Sequence, residues 1–290
     1  MELNFNCITC NINQVLRVMK IVDIDITIKE EMMREVLGYL KDIDYSKSNP
    51  EVMGGTWKII LKYLSDADPY SAIKKEYNLE ILKTSDEIET IIQNSENKFN
   101  TALKIAIVGN LIDFAAKHKF DFEMLRQKIL NVMNTDLAVD NSKQLYDKLK
   151  KAKSVLYIGD NCGEICLDKL FIKYIKKDFP DIKVFFGVRG QAVINDVTYD
   201  DAKMIGMHEV AEIVENGDGS LGTVLNRVSE NFKNIFYSAD IVIAKGQGNF
   251  ESLSEEERES IFYLLMAKCG PVANMLGVEV MSIVCAQNKN

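Results

Sequence analysis

The sequence lacks a surplus of positive charge and lacks any long apolar run. Its 290 residues include 35 Lys and Arg against 43 Asp and Glu, a formal net charge of −8. Binding to duplex DNA or RNA requires a surplus of Lys and Arg that neutralises phosphates, so this charge balance disfavours nucleic acid as the main partner. The chain also offers no basic face to an anionic membrane, and no stretch approaches the ~20 apolar residues of a membrane span.

The beginning of the chain, MELNFNCITC, lacks the basic stretch and the apolar run of a secretory signal. Apolar residues make up 47% of the sequence, which is ample for a buried core. We therefore expect a soluble, acidic, cytoplasmic protein whose partner is a small molecule. The sequence carries no indication of the oligomeric state.

Histidine is scarce, and this bears on catalysis. His118 and His208 stand in polar surroundings without a Ser or Cys partner pattern, so a Ser-His-Asp or Cys-His enzyme is not expected. The six cysteines are expected to be thiols or ligands rather than a disulfide framework, because the chain is long and shows no export signal. Cys7-x-x-Cys10 is half of a zinc site, and a structural zinc ion needs four ligands.

The chain divides into two halves of different character, residues 1–150 and 151–290. The first half holds only four of the 16 glycines, and its apolar residues recur at helical spacing. Helices are predicted there at 52–64, 70–94, 100–117 and 122–133, among others. Glycine permits tight turns and close backbone approach to ligands, so we expect the glycine-rich second half to handle the ligand.

Short apolar runs alternate with helical stretches in the second half. Strands are predicted at 154–158, 183–188, 209–214, 240–244 and 278–284, and helices at 164–177 and 254–268. Ser254 and Glu257 form the capping box that predicts the second of these helices. The alternation predicts an α/β fold with a doubly wound, mainly parallel sheet over 151–290, preceded by an N-terminal all-helical domain over 1–150.

Polar residues follow three of the apolar runs. They are Asp160 and Asn161, then Asn195 and Asp196, then Lys245 and Asn249. In an open α/β sheet the carboxyl ends of the strands form the ligand crevice, so we expect these side chains to share one rim. Carboxylate and amide oxygens suit Mg²⁺ or Mn²⁺. A lysine and backbone N–H groups beside such a cation suit a phosphate.

The alternative is that these residues serve only their own turns, because Asp and Asn are common in turns and at helix N-caps. Their recurrence at three strand ends favours the ligand site, since ligand crevices lie there.

Several short segments, taken in their order and spacing, resemble the damage-control phosphatase family, which was long catalogued only as a domain of unknown function. The segments are GDNCGE at 159–164, VRGQAVINDVT at 188–198, AKGQGNFESL at 244–253, ADPY at 67–70, AIVGNLID at 106–113 and LMAKC at 265–269. The resemblance extends over nearly the whole chain. The early Cys7-x-x-Cys10 is similar to the subgroup found in archaea and other microbes.

The resemblance implies a metal-dependent phosphatase with a helical domain packed on an α/β domain. It assigns the metal, a divalent Mn, Co, Ni or Mg ion, to Asp160, Asn161 and Asp196, and contact with the phosphate to Lys245. The other residues that it places at or near the site are Asn195, Asn249 and the backbone of Gly246, with Asn110 and Asp113 from the helical half.

We therefore expect hydrolysis of small phosphate monoesters, such as sugar phosphates or damaged phosphometabolites, with Asp160, Asp196 and Lys245 as the catalytic residues. Attack by water and attack by a carboxylate, for which Asp160 is the candidate, both stay open. Two other hypotheses are kept. One is a carboxyl methyltransferase acting at the same rim, and the other is a non-enzymatic metal- or metabolite-binding protein. The latter would use Cys7, Cys10 and Cys269 as a second, thiol site.

Overall fold

The computed structural model describes residues 1–109, 123, 127, 130, 131 and 135–288. Helices fill most of the chain up to residue 108. They are α1 (Asn6–Ile21), α2 (Ile26–Lys41), α3 (Asn49–Lys62), α4 (Ser71–Leu82), α5 (Ser85–Asn94) and α6 (Lys98–Val108). We call α1–α6 the helical region. Asn110, Asp113, His118 and most of the predicted helix at 122–133 lie outside the described residues.

Side chains fix where several of these helices begin and end. Asp25 accepts a hydrogen bond from the backbone N–H of Thr27 at 2.8 Å and so caps α2. Ser48 and Glu51 form a capping box at the start of α3. The hydroxyl of Thr84 donates to the carbonyl of Ile81 at 2.7 Å, beside the Thr84 N–H at 3.0 Å, where α4 ends. The single helix predicted at 70–94 is therefore two helices.

The remainder of the described chain builds a mainly parallel sheet. Its strands are β1 (Val139–Asp140), β2 (Ser154–Ile158), β3 (Lys183–Val188), β4 (Glu212–Glu215), β5 (Ile241–Lys245), β6 (Ile261–Met266) and β7 (Ile283–Gln287). They lie in the order β1-β7-β6-β5-β2-β3-β4, and every neighbouring pair is parallel except β6 and β7. The predicted fold class is confirmed.

Helices cover both faces of the sheet. They are α7 (Ser142–Leu149), α8 (Glu164–Asp178), α9 (Tyr199–Met204), α10 (Glu230–Ser238), α11 (Gly246–Leu253) and α12 (Gly270–Leu276). Alternate residues of β2 belong to different cores: Tyr157 packs with α6 and α8, and Leu156 packs with α10 and α11. Strands covered on both faces form continuous apolar runs, which is why β2 and β5 were recognisable in the sequence.

One predicted helix is wrong. Residues 254–268 were expected to be helical, but the structure ends α11 at Leu253 and places β6 at Ile261–Met266. All six residues of β6 are apolar and buried, which suits a central strand and leaves no polar face for a helix. Two strand predictions also shift: β4 starts only at Glu212, after a 3₁₀ turn at Met207–Glu209, and β7 starts at Ile283.

The order of the strands reverses beside β2. The chain runs from β2 outward through β3 and β4, then returns to the other side of β2 to form β5. A ligand crevice forms at such a reversal, outside the carboxyl ends of the two strands. The strand β1 and the helix α7 precede residue 150 but pack with the sheet, and a domain boundary at residue 150 stays a prediction. Within the described residues, no helix is long and apolar enough to cross a membrane.

Candidate active site

The turns that follow β2 and β3 are joined by backbone hydrogen bonds. The N–H of Val197 donates to the carbonyl of Asp160, and the N–H of Cys162 donates to the carbonyl of Asn195, each at 2.9 Å. These two strands are parallel neighbours, so both turns lie at the same edge of the sheet. The two predicted polar pairs, one from each turn, are thereby brought together.

The carboxylates of Asp160 and Asp196 lie around one guanidinium group. Arg189 Nε donates to Asp196 Oδ2 at 2.7 Å, and Arg189 Nη2 lies 3.9 Å from Asp160 Oδ1. Arg189 and Asp196 are each only 1% exposed. Removing one partner of a buried ion pair strands the other charge, so Arg189 and Asp196 depend on each other for their position.

Asn161 is the centre of the polar contacts at this edge. Its Nδ2 donates to Asp160 Oδ2 at 2.6 Å and to Glu164 Oε2 at 2.9 Å. Its Oδ1 accepts from Asn195 Nδ2 at 2.7 Å. Asn161 therefore holds Asp160, Glu164 and Asn195 in fixed positions relative to one another.

Lys245 lies deeper, with its side chain fully buried. Its ammonium donates to a carboxylate oxygen of Glu164, to Asp168 Oδ1 at 2.7 Å and to the carbonyl of Ala106 at 2.6 Å. Burial disfavours the charged ammonium, but the carboxylates of Asp168 and Glu164 outweigh burial and raise the pKa of Lys245 above its ordinary value. Contact with a phosphate would require the exchange of one of these three bonds, so this role stays a prediction.

The turn after β5 brings Gly246 and Asn249 to the same place. Gly246 has φ +76°, and a Cβ atom there would collide with Asp160 Oδ2, so only glycine fits. Asn249 is fully buried, and its Nδ2 donates to the carbonyl of Lys245 at 2.7 Å. Its Oδ1 accepts from Thr223 Oγ1 at 2.8 Å and from Arg189 Nη2 at 3.4 Å. Asn249 thus links the β5 turn to the guanidinium of Arg189.

Buried acidic groups outnumber buried cations in this cluster. Among the described residues, the four carboxylates of Asp160, Glu164, Asp168 and Asp196 form ion pairs with two cations, Arg189 and Lys245. Burial, followed by the charges of Asp196 and Glu164, raises the pKa of Asp160 to about 8. Burial also raises the pKa of Asp168, to about 7, and the pKa of Asp196. A divalent cation is the charge that would balance the cluster.

The donor set fits a hard divalent cation. Asp160, Asp196 and the amide oxygen of Asn161 are oxygen donors of the kind that Mg²⁺ and Mn²⁺ prefer. In the described part of the chain, no group of three or more His, Cys, Asp or Glu side chains is placed to hold a metal ion. A metal ion at this edge stays a prediction. Besides the two carboxylates it would need the amide oxygen of Asn161, which here accepts from Asn195, together with oxygens from outside the protein.

Sequence reasoning missed four residues of this cluster. Arg189 and Glu164 lie within the segments that carry the family resemblance, and Asp168 and Thr223 lie outside them. A usable signal existed for Glu164 and Asp168, because two acids four residues apart occupy the same face of α8. That face is buried, and buried acids need partners. The partner, Lys245, is 77 residues beyond Asp168, and the sequence alone did not connect them.

The three cysteines of the predicted thiol site lie around Glu251. Burial, with smaller contributions from the charges of Glu251, Cys10 and Cys269, raises the pKa of Cys7 to about 11. Burial also raises the pKa of Cys10 and Cys269, and Glu251 adds to both. All three are free thiols. A second metal site here stays a prediction; loss of bound zinc in a Cys7→Ser/Cys10→Ser variant is the observation that would support it.

Glu251 gives a prediction about stability and pH. Its side chain is 4% exposed, and burial raises its pKa from 4.5 to about 7. The unfolded chain loses this proton near pH 4.5 and the folded chain near pH 7, so the native state loses stability as the pH rises between these values. We expect Glu251→Gln to unfold like the wild type at pH 4 and to be more stable at pH 8, by roughly 3 kcal/mol at most. Urea unfolding at both pH values measures this, and an equal difference at the two pH values would contradict it.

Comparison with known proteins places the chain in a family. A family model described as the damage-control phosphatase ARMT1-like domain matches residues 4–284. A damage-control phosphatase from Pyrococcus horikoshii is 33% identical over an alignment of 291 residues, which covers 100% of this chain and 99% of that protein. A damage-control phosphatase from Archaeoglobus fulgidus is 29% identical, with 98% of each chain covered.

A solved structure agrees with the fold as well. The crystal structure of a DUF89 family protein from Pyrococcus horikoshii superposes with a TM-score of 0.92 at 32% identity, and the match covers 100% of both chains. The similarity therefore includes the helical region as well as the sheet.

Proposed function

The chain belongs to the damage-control phosphatase ARMT1-like family. On that premise we propose that it is a phosphatase that uses a divalent metal ion. Its substrates would be phosphate monoesters of small metabolites, including damaged ones. The observation that carries the proposal is the buried cluster between β2 and β5, in which, among the described residues, four carboxylates form ion pairs with two cations. The cluster lies beside the first turn of α11, where Gly246 meets Asp160. A phosphate bridging a cation and free N–H groups fits this combination.

Asp160, Asn161 and Asp196 would hold the metal ion. A bound Mn²⁺, Co²⁺, Ni²⁺ or Mg²⁺ ion would neutralise the charge of the phosphoryl group and stabilise its transition state. Arg189 orients Asp196 through the Nε bond of 2.7 Å. Asn161 keeps the carboxylate of Asp160 in place.

The remaining phosphate oxygens would be bound by the backbone. The first N–H groups of a helix have no acceptor within it, and α11 begins at Gly246 beside Asp160. Lys245 supports this arrangement by holding Glu164, which accepts from Asn161. In the net reaction water adds to phosphorus, the P–O bond to the metabolite breaks, and the alcohol and inorganic phosphate leave.

A panel of phosphate esters tests the proposal. The purified protein is stripped with EDTA and then assayed for phosphate release with sugar phosphates and other small esters, with Mn²⁺, Co²⁺, Ni²⁺ or Mg²⁺ restored singly. We expect activity to disappear with EDTA and to return with at least one of these metals. Release that persists unchanged after EDTA would contradict the metal-dependent mechanism.

The same preparation separates the alternatives. Turnover that requires an added methyl-donor nucleotide, without phosphate release, would favour the carboxyl methyltransferase. Zinc that copurifies and is lost in Cys7→Ser/Cys10→Ser, with no turnover of any ester, would favour a non-enzymatic metal-binding protein. We propose a phosphate ester as the partner and the cytoplasm as the location, the latter on the acidic net charge of −8.

A further inference from the structure

The helical region contacts each of the three loops that form the site. Asn78 of α4 accepts a hydrogen bond from the N–H of Gly163, in the turn after β2. Trp57 of α3 donates through Nε1 to the carbonyl of Ala192, in the turn after β3, at 2.8 Å. The carbonyl of Ala106 in α6 accepts from Lys245 at the end of β5. The helical region therefore bonds to all three loops.

The loop at 190–196 most needs such support. Ile194 has φ +50°, a left-handed conformation that is strongly disfavoured for a β-branched residue. A strained residue persists only where its surroundings fix it. Asn195 and Asp196 follow directly, so the direction of the chain at Ile194 decides where their side chains lie.

The contacts that hold the loop around Ile194 in place come from the helical region. Val193 is fully buried in the core formed mainly by α1–α3, and Ile194 packs against the same core. Trp57 is part of that core, 2% exposed, with its ring 6.1 Å from that of Tyr70. Its bond to Ala192 holds the backbone two residues before Ile194.

We propose that Trp57 is a positioning residue, which holds the loop at 190–196 so that Asn195 and Asp196 face Asp160 and Asn161. The affinity of the site for a divalent cation is then set in part by a helix that supplies no ligand. This inference rests on the proposed function.

Trp57→Phe tests it, because phenylalanine keeps an aromatic ring in the core but removes the Nε1 donor. We expect the Mg²⁺ dissociation constant, measured by calorimetry on the metal-free protein, to rise on the order of tenfold, as for the loss of other residues that orient metal ligands. At saturating Mg²⁺, kcat should stay within about twofold of the wild type, because the chemical groups are unchanged.

Tyr70→Phe is the matched control. It removes a hydroxyl from the same core. That hydroxyl accepts from Gln14 Nε2 at 3.1 Å and, within the described part of the chain, makes no hydrogen bond to the loop. We expect this variant to bind Mg²⁺ like the wild type. Equal loss of affinity in both variants would mean a general loosening of the core and would overturn the positioning role.

The wild-type protein supplies a second measurement, because Trp57 is the only tryptophan in the chain. Mg²⁺ should change its fluorescence with the dissociation constant found by calorimetry, and Asp160→Asn should abolish the change. Unchanged emission together with wild-type affinity in Trp57→Phe would overturn the inference while leaving the proposed function intact. A wild-type protein that neither binds a divalent metal nor releases phosphate would contradict the proposed function itself.

Discussion

Asp160→Asn is expected to lower kcat/KM for phosphate release by roughly 10³-fold or more, since several kcal/mol of transition-state stabilisation depend on the metal and each 1.4 kcal/mol is a factor of ten. Asparagine keeps the size of the side chain and an oxygen that accepts from Asn161, but loses the charge. The assay is phosphate release at saturating Mg²⁺ or Mn²⁺, accompanied by calorimetric metal titration.

The same substitution should stabilise the metal-free protein at pH 8. The pKa of Asp160 is raised to about 8 by burial and by the neighbouring carboxylates, so the folded state opposes an ionisation that the unfolded chain undergoes around pH 4. The wild type therefore loses stability as the pH rises through this window. The variant has no carboxyl group to ionise at this position, so it does not lose that part of the stability. Lower activity with higher stability marks a site residue rather than a structural one.

Asp147→Asn is the control for this pair of measurements. Asp147 is 53% exposed and pairs with Lys150 across one turn of α7. Neither activity nor stability should change appreciably, because exposed ion pairs contribute little. Wild-type turnover in Asp160→Asn would show that the site has been placed wrongly.

Lys245→Met is expected to lower the free energy of unfolding by about 3–5 kcal/mol, the cost of leaving buried charges without their partner. Glu164 and Asp168 are both fully buried and share this one ammonium. The loss should be smaller at pH 5 than at pH 8, because burial raises the pKa of Asp168 to about 7 and its stranded carboxylate can take up a proton at the lower pH. Urea unfolding of the metal-free protein at both pH values measures it.

Two further variants serve as a control and as a test of this result. Lys150→Met, at an exposed pair, should change the stability by no more than about 1 kcal/mol. Adding Glu164→Gln to Lys245→Met should recover part of the loss, because one buried charge disappears. A Lys245→Met protein as stable as the wild type would mean that the ammonium does not compensate this cluster, and would favour its predicted contact with the phosphate.

The comparison of β5 with β6 shows how far the sequence specifies the fold. Both strands are short apolar runs, but only β5 was recognised, because it ends in a glycine-bearing turn. The run that becomes β6 follows a capping-box pattern at Ser254 and Glu257, and short apolar runs have no periodicity that separates strand from helix. Burial on both faces decided in favour of the strand.

The residues of the candidate site also differ in how far the sequence predicted them. Asp160, Asn161, Asn195 and Asp196 stood out in the sequence because each pair follows an apolar run, and the edge of a parallel sheet gathers such residues. The run before Asn195, residues 192–194, is not a strand but part of the loop after β3. Arg189, Glu164 and Asp168 did not, because their roles depend on burial and on partners distant in the chain. Lys245 was found as a site residue, but its position between two buried carboxylates was not foreseen.

The sequence by itself determined the α/β class, the strand ends that carry the polar residues, and the resemblance to the family, because these depend on local order and spacing. The tertiary structure alone decided the charge balance of the cluster and the contacts of Asn78, Trp57 and Ala106 with the three loops. Electrostatic energy and loop strain depend on which groups are neighbours in space, and those neighbours come from segments separated by many tens of residues.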